Sequence, residues 1–245
     1  MQAFNIWHQH AVYRLKIALV VLAFLVCTNA SGQLFRWARQ HNPNYDEREF
    51  SYGFSIGLHT SSYQLNYSDK FVSKAYDTVS SIQPQFLPGF SLGFLVNYRI
   101  NDLLDLRVMP KAGFYSHRLT YFFTNRTTQY QLVETTLVEF PILLKFKSVR
   151  RGNVRMYMIG GITPAFEASG KNDIGNATGT IPILRRNVSL EAGMGFDFYF
   201  PLFKFSPEIR FSRGIVNMLG DDSNFYKDPI SRLNTSTIAV YLIFQ

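Results

Sequence analysis

From Asn187 to Phe200 the chain alternates without a break. Val188, Leu190, Ala192, Met194, Phe196, Phe198 and Phe200 share one parity, and Asn187, Ser189, Glu191, Gly193, Gly195, Asp197 and Tyr199 share the other. Successive side chains of a β-strand point to opposite faces, so this segment predicts an apolar surface backed by a small and polar one. The next segment repeats the pattern, with Phe203, Phe205, Pro207, Ile209 and Phe211 opposite Lys204, Ser206, Glu208, Arg210 and Ser212. Phe50 to Leu58, Phe90 to Ile100 and Leu104 to His117 alternate likewise, and weaker alternation runs through 132–147, 154–167 and 235–244. These segments make eight predicted strands, each at or above the roughly 9–11 residues that a tilted strand needs to cross a bilayer.

The connections sharpen the reading. After the second, fourth and sixth strands they are tight: Asn101-Asp102-Leu103, 148–153 and Pro201-Leu202. After the first, third, fifth and seventh they are mostly longer, at 66–84, 124–129, 170–186 and 214–234. Short turns at one end and longer loops at the other fit an all-β, eight-stranded antiparallel up-and-down transmembrane β-barrel, with short periplasmic turns and mostly longer extracellular loops. A soluble lipocalin-like barrel also has eight strands, with its apolar face turned inward. Three features favour the membrane form: Gly and Ser crowd the polar face, Phe, Leu and Ile dominate the apolar one, and the turn asymmetry covers all seven connections.

Residues 1–32 read as a signal peptide. Arg14 and Lys16 form a basic start, Ile17 to Val26 an apolar run, and Ala30-Ser31-Gly32 a small-residue cleavage site. The expected organisation is signal 1–32, a periplasmic pre-barrel segment 33–49 and the barrel 50–245. The lone cysteine, Cys27, lies within the signal, behind a Val26 too bulky for a lipoprotein acylation site, so the expected mature chain has neither disulfides nor thiolate metal sites. Losing Arg14 and Lys16 takes the net charge from +8 to +6. The cations are dispersed along the chain, which weakens a nucleic-acid reading, and no nucleic-acid partner is expected. The 23 Phe and 14 Tyr need a burial medium that no second long apolar run supplies, and the strands provide it by facing lipid.

With apolar side chains toward lipid, both signs of charge turn inward: Asp105, Glu139, Glu191, Asp197 and Glu208 against Arg107, Lys111, Lys145, Arg155, Lys204 and Arg210. An eight-stranded barrel is just wide enough for side chains to fill, so these charges should pair in a plugged core. A diffusion pore, which needs roughly 16 strands, is not expected. His59 and His117, with Ser61, Ser62 and Ser116 nearby, are the candidates for a rim hydrolase or acyltransferase, but no acid stands beside either histidine. The expectation is a non-enzyme without catalytic residues, cofactor, metal or small-molecule substrate. Asp221, Asp222, Asn224 and Asp228 match no calcium-loop spacing.

Three stretches resemble the PorT family of small outer-membrane barrels associated with type IX secretion and gliding motility. The first is Asn44-Tyr45-Asp46 leading into Phe50 to Leu58. The second runs from Glu134 through Val138-Glu139-Phe140-Pro141 to Lys147. The third is Gly195-Phe196-Asp197-Phe198-Tyr199-Phe200-Pro201, with Phe203 to Ser206 and on to Asn217-Met218-Leu219. The resemblance spans essentially the whole chain after residue 32. It implies an integral outer-membrane protein needed to assemble or operate an export apparatus, and it brings no catalytic residues. Members are sometimes called translocating porins. The narrow lumen argues instead for an accessory or scaffold subunit, and the alternative is a generic OmpX-like structural or adhesion barrel.

The expected partners are outer-membrane lipid and protein subunits of a secretion apparatus. Arg36, Trp37 and Arg39 before the barrel, with Arg150 and Arg151 in a periplasmic turn joined by Lys147 and Arg155, form a basic and aromatic rim suited to an acidic partner. The same cations would equally serve topology or contact with lipid headgroups.

Overall fold

The computed structural model describes residues 41–245 except 74, 75, 77, 126, 169–180, 182 and 221–224. The period-two segments form β1 (Phe50–Tyr67), β2 (Val79–Gln85), β3 (Leu87–Arg99), β4 (Leu104–Val108), β5 (Lys111–Phe123), β6 (Thr128–Glu139), β7 (Ile142–Lys147), β8 (Val154–Glu167), β9 (Arg186–Tyr199), β10 (Lys204–Gly214) and β11 (Ile230–Phe244). Six of these merge in pairs into single staves. β4 and β5 are interrupted only at Met109-Pro110, and β6 and β7 only at Phe140-Pro141, because proline has no N–H to give the ladder. The alignment carries through both gaps, with Val108 opposite Ile142 and Lys111 opposite Glu139. Between β2 and β3 the break is a bulge. Gln85 faces Arg118 and Phe90 faces Phe114, so residues 86–89 oppose 115–117.

The result is eight antiparallel staves, and β11 pairs with β1 to close the ring, leaving no edge. Its stagger follows from the register. Phe50 pairs with Tyr98, then Leu106, Leu144, Gly160, Ala192, Phe211 and Ile238, and the path returns to β1 at Thr60, ten residues beyond its start. Ten residues of shear over eight strand spacings tilt the staves by about 40° and give a radius of about 8 Å.

The side chains decide between the two barrels. The apolar parity faces outward: Phe94 is 72% exposed, Tyr52 66% and Leu58 61%, while Asp197 is 0% and Arg210 1% exposed. The barrel is turned toward lipid, and the lipocalin-like alternative fails. Among the described residues no helix is long and apolar enough to cross a membrane.

The strands run further outward than their hydrophobic pattern. β1 continues to Tyr67, and β2 forms where a loop is expected from the Ser-Ser and Gln-Pro-Gln residues. Val79 and Ile82 explain it, because they turn into an apolar cluster under the outer loops.

Candidate functional site

The interior is built in three tiers. The middle tier is polar, and every charged residue in it comes from the inward parity of a stave. Arg107 of β4 donates through Nε to Asn97 Oδ1 at 2.7 Å and through Nη1 to Glu208 Oε2 at 2.7 Å. Glu208 also accepts from Arg210 and from the Tyr157 hydroxyl, the latter at 2.7 Å. Arg210 reaches on to Glu191 at 3.2 Å. Lys111 lies 2.8 Å from Glu139, which accepts from the Tyr115 hydroxyl at 3.0 Å. Lys145 meets Asp197 at 2.6 Å, and Ser206 donates to the same carboxylate at 2.6 Å. Lys147 pairs with Asp105.

All of these groups are buried. A buried ion left alone costs several kcal/mol, so matched signs on facing staves are what permits the polar parity to be enclosed at all. The tyrosines complete it. Lys111 stands 4.9 Å from the Tyr241 ring centroid, Arg210 4.3 Å from the same ring, and Lys145 3.7 Å from that of Tyr157.

The inner tier closes the end carrying the tight turns. Asn42 and the 3-10 turn Pro43–Glu47 fold against the barrel mouth. Asp46 accepts the Tyr199 hydroxyl at 2.8 Å on both carboxylate oxygens and lies 3.2 Å from Arg155. The Arg150 guanidinium rests 3.7 Å from the Tyr199 ring centroid and donates to the Asn42 carbonyl at 3.1 Å. Lys204 stands over the Tyr45 ring at 4.5 Å, and Arg99 donates to the Glu47 carbonyl at 3.1 Å. Burial pushes the Tyr45 hydroxyl up to about 12, so it stays protonated.

The outer tier is apolar. Tyr63, Tyr76, Val79, Ile82, Leu119, Tyr121, Ile181, Leu219, Ile230 and Leu233 form one buried cluster beneath the long loops. Directly below it His59 stacks on Tyr115 and His117 on Tyr63, each with ring centroids 4.2 Å apart. A cavity of about 30 Å³ remains beneath them, lined by His117, Asn187, Glu191 and Thr235 among others. It holds little more than a water.

The structure brings Asp105, Arg107, Lys111, Glu139, Lys145, Glu191, Asp197, Glu208 and Arg210 into the polar tier, and it carries Arg155 and Lys204 into the inner closure. The rim reading of the histidines is corrected. Both are buried under the apolar tier, and their ring nitrogens find no hydrogen-bond partner among the described residues. Ser61 donates to the Ser116 carbonyl and Ser62 to that of Tyr63, so neither hydroxyl is aligned with a base.

Of the basic rim, Arg150 and Arg155 are drawn inward by Asp46, the Asn42 carbonyl and the Ser148 carbonyl, and Lys147 by Asp105, while Arg151 stays exposed. Arg36, Trp37, Arg39 and the signal segment lie outside the described residues, as do Asp221, Asp222 and Asn224. Among the described residues no cluster could hold a metal ion.

Sequence reasoning passed over Asp46 as a charge hub, and Tyr115, Tyr157, Tyr199 and Tyr241 as lumen residues. Each tyrosine sits on the polar parity of its strand, and that was the available signal.

A family model described as outer membrane protein beta-barrel domain matches residues 33–220. No curated protein matches the chain in sequence. Among solved structures, Neisserial surface protein A is similar at 12% identity and a TM-score of 0.40, covering 80% of this chain and 98% of that one. The outer membrane protein OprG from Pseudomonas aeruginosa is similar at 12% identity and a TM-score of 0.43, covering 78% and 93%. The outer membrane enzyme PagL is similar at 10% identity and a TM-score of 0.35, covering 76% and 97%.

Proposed function

Because the chain belongs to the outer membrane protein beta-barrel domain family, we propose that this integral outer-membrane protein is a non-conducting, non-enzymatic accessory or scaffold subunit of the type IX protein secretion system. The type IX assignment rests on the PorT-like stretches, 44–58, 134–147 and 195–219. The observation that carries the mechanical half is closure of the lumen in three tiers: the latch on Asp46, the paired charges and the apolar cluster. A barrel so filled passes nothing through itself, so its contribution to export lies in the surfaces it offers and the position it holds.

Deleting the gene should stop secretion of type IX cargo, and the wild-type chain should restore it. Purified protein in planar bilayers should carry no steady current. Normal secretion in the deletion strain would end the export reading, and a stable conductance would end the scaffold reading.

A second reading, an OmpX-like structural or adhesion barrel, is favoured by the height of the outer wall. Beyond Leu58 the exposed residues of β1 on the outward parity are Thr60, Gln64 and Asn66, so this stave projects past the apolar belt. Loss of surface attachment with unchanged secretion would select it.

A further inference from the structure

Three arginines stand at the outer edge of the apolar belt on neighbouring staves. Arg213 of β10 pairs with Leu190 of β9 and Ser236 of β11. Arg186 lies four residues outward of Leu190 and Arg232 four residues outward of Ser236, and all three arginines are exposed on the lipid-facing parity. Four strand residues span about 13 Å and two strand spacings about 10 Å. Arg186 and Arg232 are therefore the base of a triangle whose apex, Arg213, points back toward the belt. Exposed Ile215 lies inside it, with Phe211 and Ile238 on the membrane side.

The side chains differ in restraint. Arg232 donates through Nε to Asn234 Oδ1 at 2.8 Å and through Nη2 to the Ile215 carbonyl at 3.2 Å, which holds its guanidinium across β10. Arg186 and Arg213 form no hydrogen bond or ion pair among the described residues. The outward positions of β9, β10 and β11 carry no acidic side chain, because Glu191, Asp197 and Glu208 all face the lumen. Three cations with no acidic side chain on the outward positions of these described strands, at the depth where the hydrocarbon-facing surface ends, meet whatever anion the lipid offers there.

We infer that Arg186, Arg213 and Arg232 form a binding site for the phosphorylated headgroup of an outer-leaflet lipid, with Ile215 and Phe211 against the start of its acyl chains. Long arginine side chains reach across these spacings and present forked donors to phosphate oxygens. The apolar residues inside and below the triangle fit a lipid better than a free anion.

The test uses the full chain folded in neutral detergent, with diphosphoryl lipid A, its dephosphorylated counterpart and inorganic phosphate as probes, and bound molecules counted by native mass spectrometry. The decisive variant is the double Arg186→Gln, Arg213→Gln, since neither side chain is bonded within the described fold. Arg151→Gln at the opposite end is the control, and heat-modifiable migration on gels confirms folding. The wild type and Arg151→Gln should retain the diphosphorylated lipid, and the double variant should retain it at least about tenfold more weakly, as the loss of charge-assisted hydrogen bonds requires. Equal retention by the double variant, or by the dephosphorylated lipid, would overturn the site. Displacement of the lipid by millimolar inorganic phosphate would overturn its assignment to a lipid.

Discussion

The Tyr199 hydroxyl donates to both carboxylate oxygens of Asp46 at 2.8 Å, joining the last inward residue of β9 to a segment that precedes the barrel. The same carboxylate faces Arg155 at 3.2 Å, so one acid ties the pre-barrel turn to β8 and β9 together. The inner mouth is closed by chain that belongs to no strand.

Replacing that acid should loosen the latch while the barrel still forms. Asp46→Ala is expected to destabilise by about 2 kcal/mol, the scale of a charge-assisted hydrogen bond lost when a part-exposed carboxylate is removed from a buried guanidinium. Limited proteolysis should cut near residues 42–49 in the variant and spare the wild type. Equal protection in both would mean that the turn is held by Tyr45 and Arg150 alone.

At the centre of the lumen, Lys145→Met takes the paired cation from the Asp197 carboxylate, leaving it the Ser206 hydroxyl as its one hydrogen-bond donor among the described residues and Lys204 as a more distant cation. An uncompensated buried charge costs about 3–5 kcal/mol. Urea titration in lipid vesicles should show that loss, and adding Asp197→Leu should recover most of it. A double variant no more stable than the single one would contradict the pairing.

Adjacent glycines on β8 should respond oppositely to one methyl group. At Gly161 a Cβ would collide with the Ile142 carbonyl oxygen and sit 2.9 Å from Leu143 Cα, both backbone atoms of β7. At Gly160 the nearest atom is 3.6 Å away. Gly161→Ala should cost about 1–3 kcal/mol as an overpacked site, and Gly160→Ala should stay within about 0.5 kcal/mol. The folded fraction on heat-modifiable gels distinguishes them.

Phe94, the most exposed phenylalanine among the described residues, tests the direction of the whole barrel. A surface substitution in a soluble protein would pass almost unnoticed. Facing the mid-bilayer, Phe94→Arg should disfavour folding into vesicles by about 2–4 kcal/mol, whereas Thr60→Arg, beyond the belt, should cost well under half as much. Similar folding of both variants would place Phe94 outside the hydrocarbon.

Much of this molecule is legible in its residue order. The unbroken parity of 187–200 specifies a strand with one polar face, and the alternation of short and long connections specifies which ends meet. Asp105, Arg107, Lys111, Glu191, Asp197, Lys204, Glu208 and Arg210 all fall on the predicted lumen side. The outer extension of β1 and the existence of β2 were not legible, because above the belt the outward face is polar and the inward face apolar, which reverses the rule that governs the membrane zone. The partner of Arg150 and Arg155 was not legible for a related reason. A cation in a turn looks solvated until a carboxylate distant along the chain, at Asp46, is known to lie across from it.

Period-two alternation determined which residues share a face, and with the connection lengths it determined the eight-stave up-and-down order, because those depend only on local parity and spacing. Register, shear and the identity of every ion pair were decided by closing the ring. Only when β11 meets β1 does Glu208 come to face Arg107 across the lumen, 101 residues away along the chain. The three-arginine triangle likewise exists only at that stagger. A shift of one residue would send each of its members into the core.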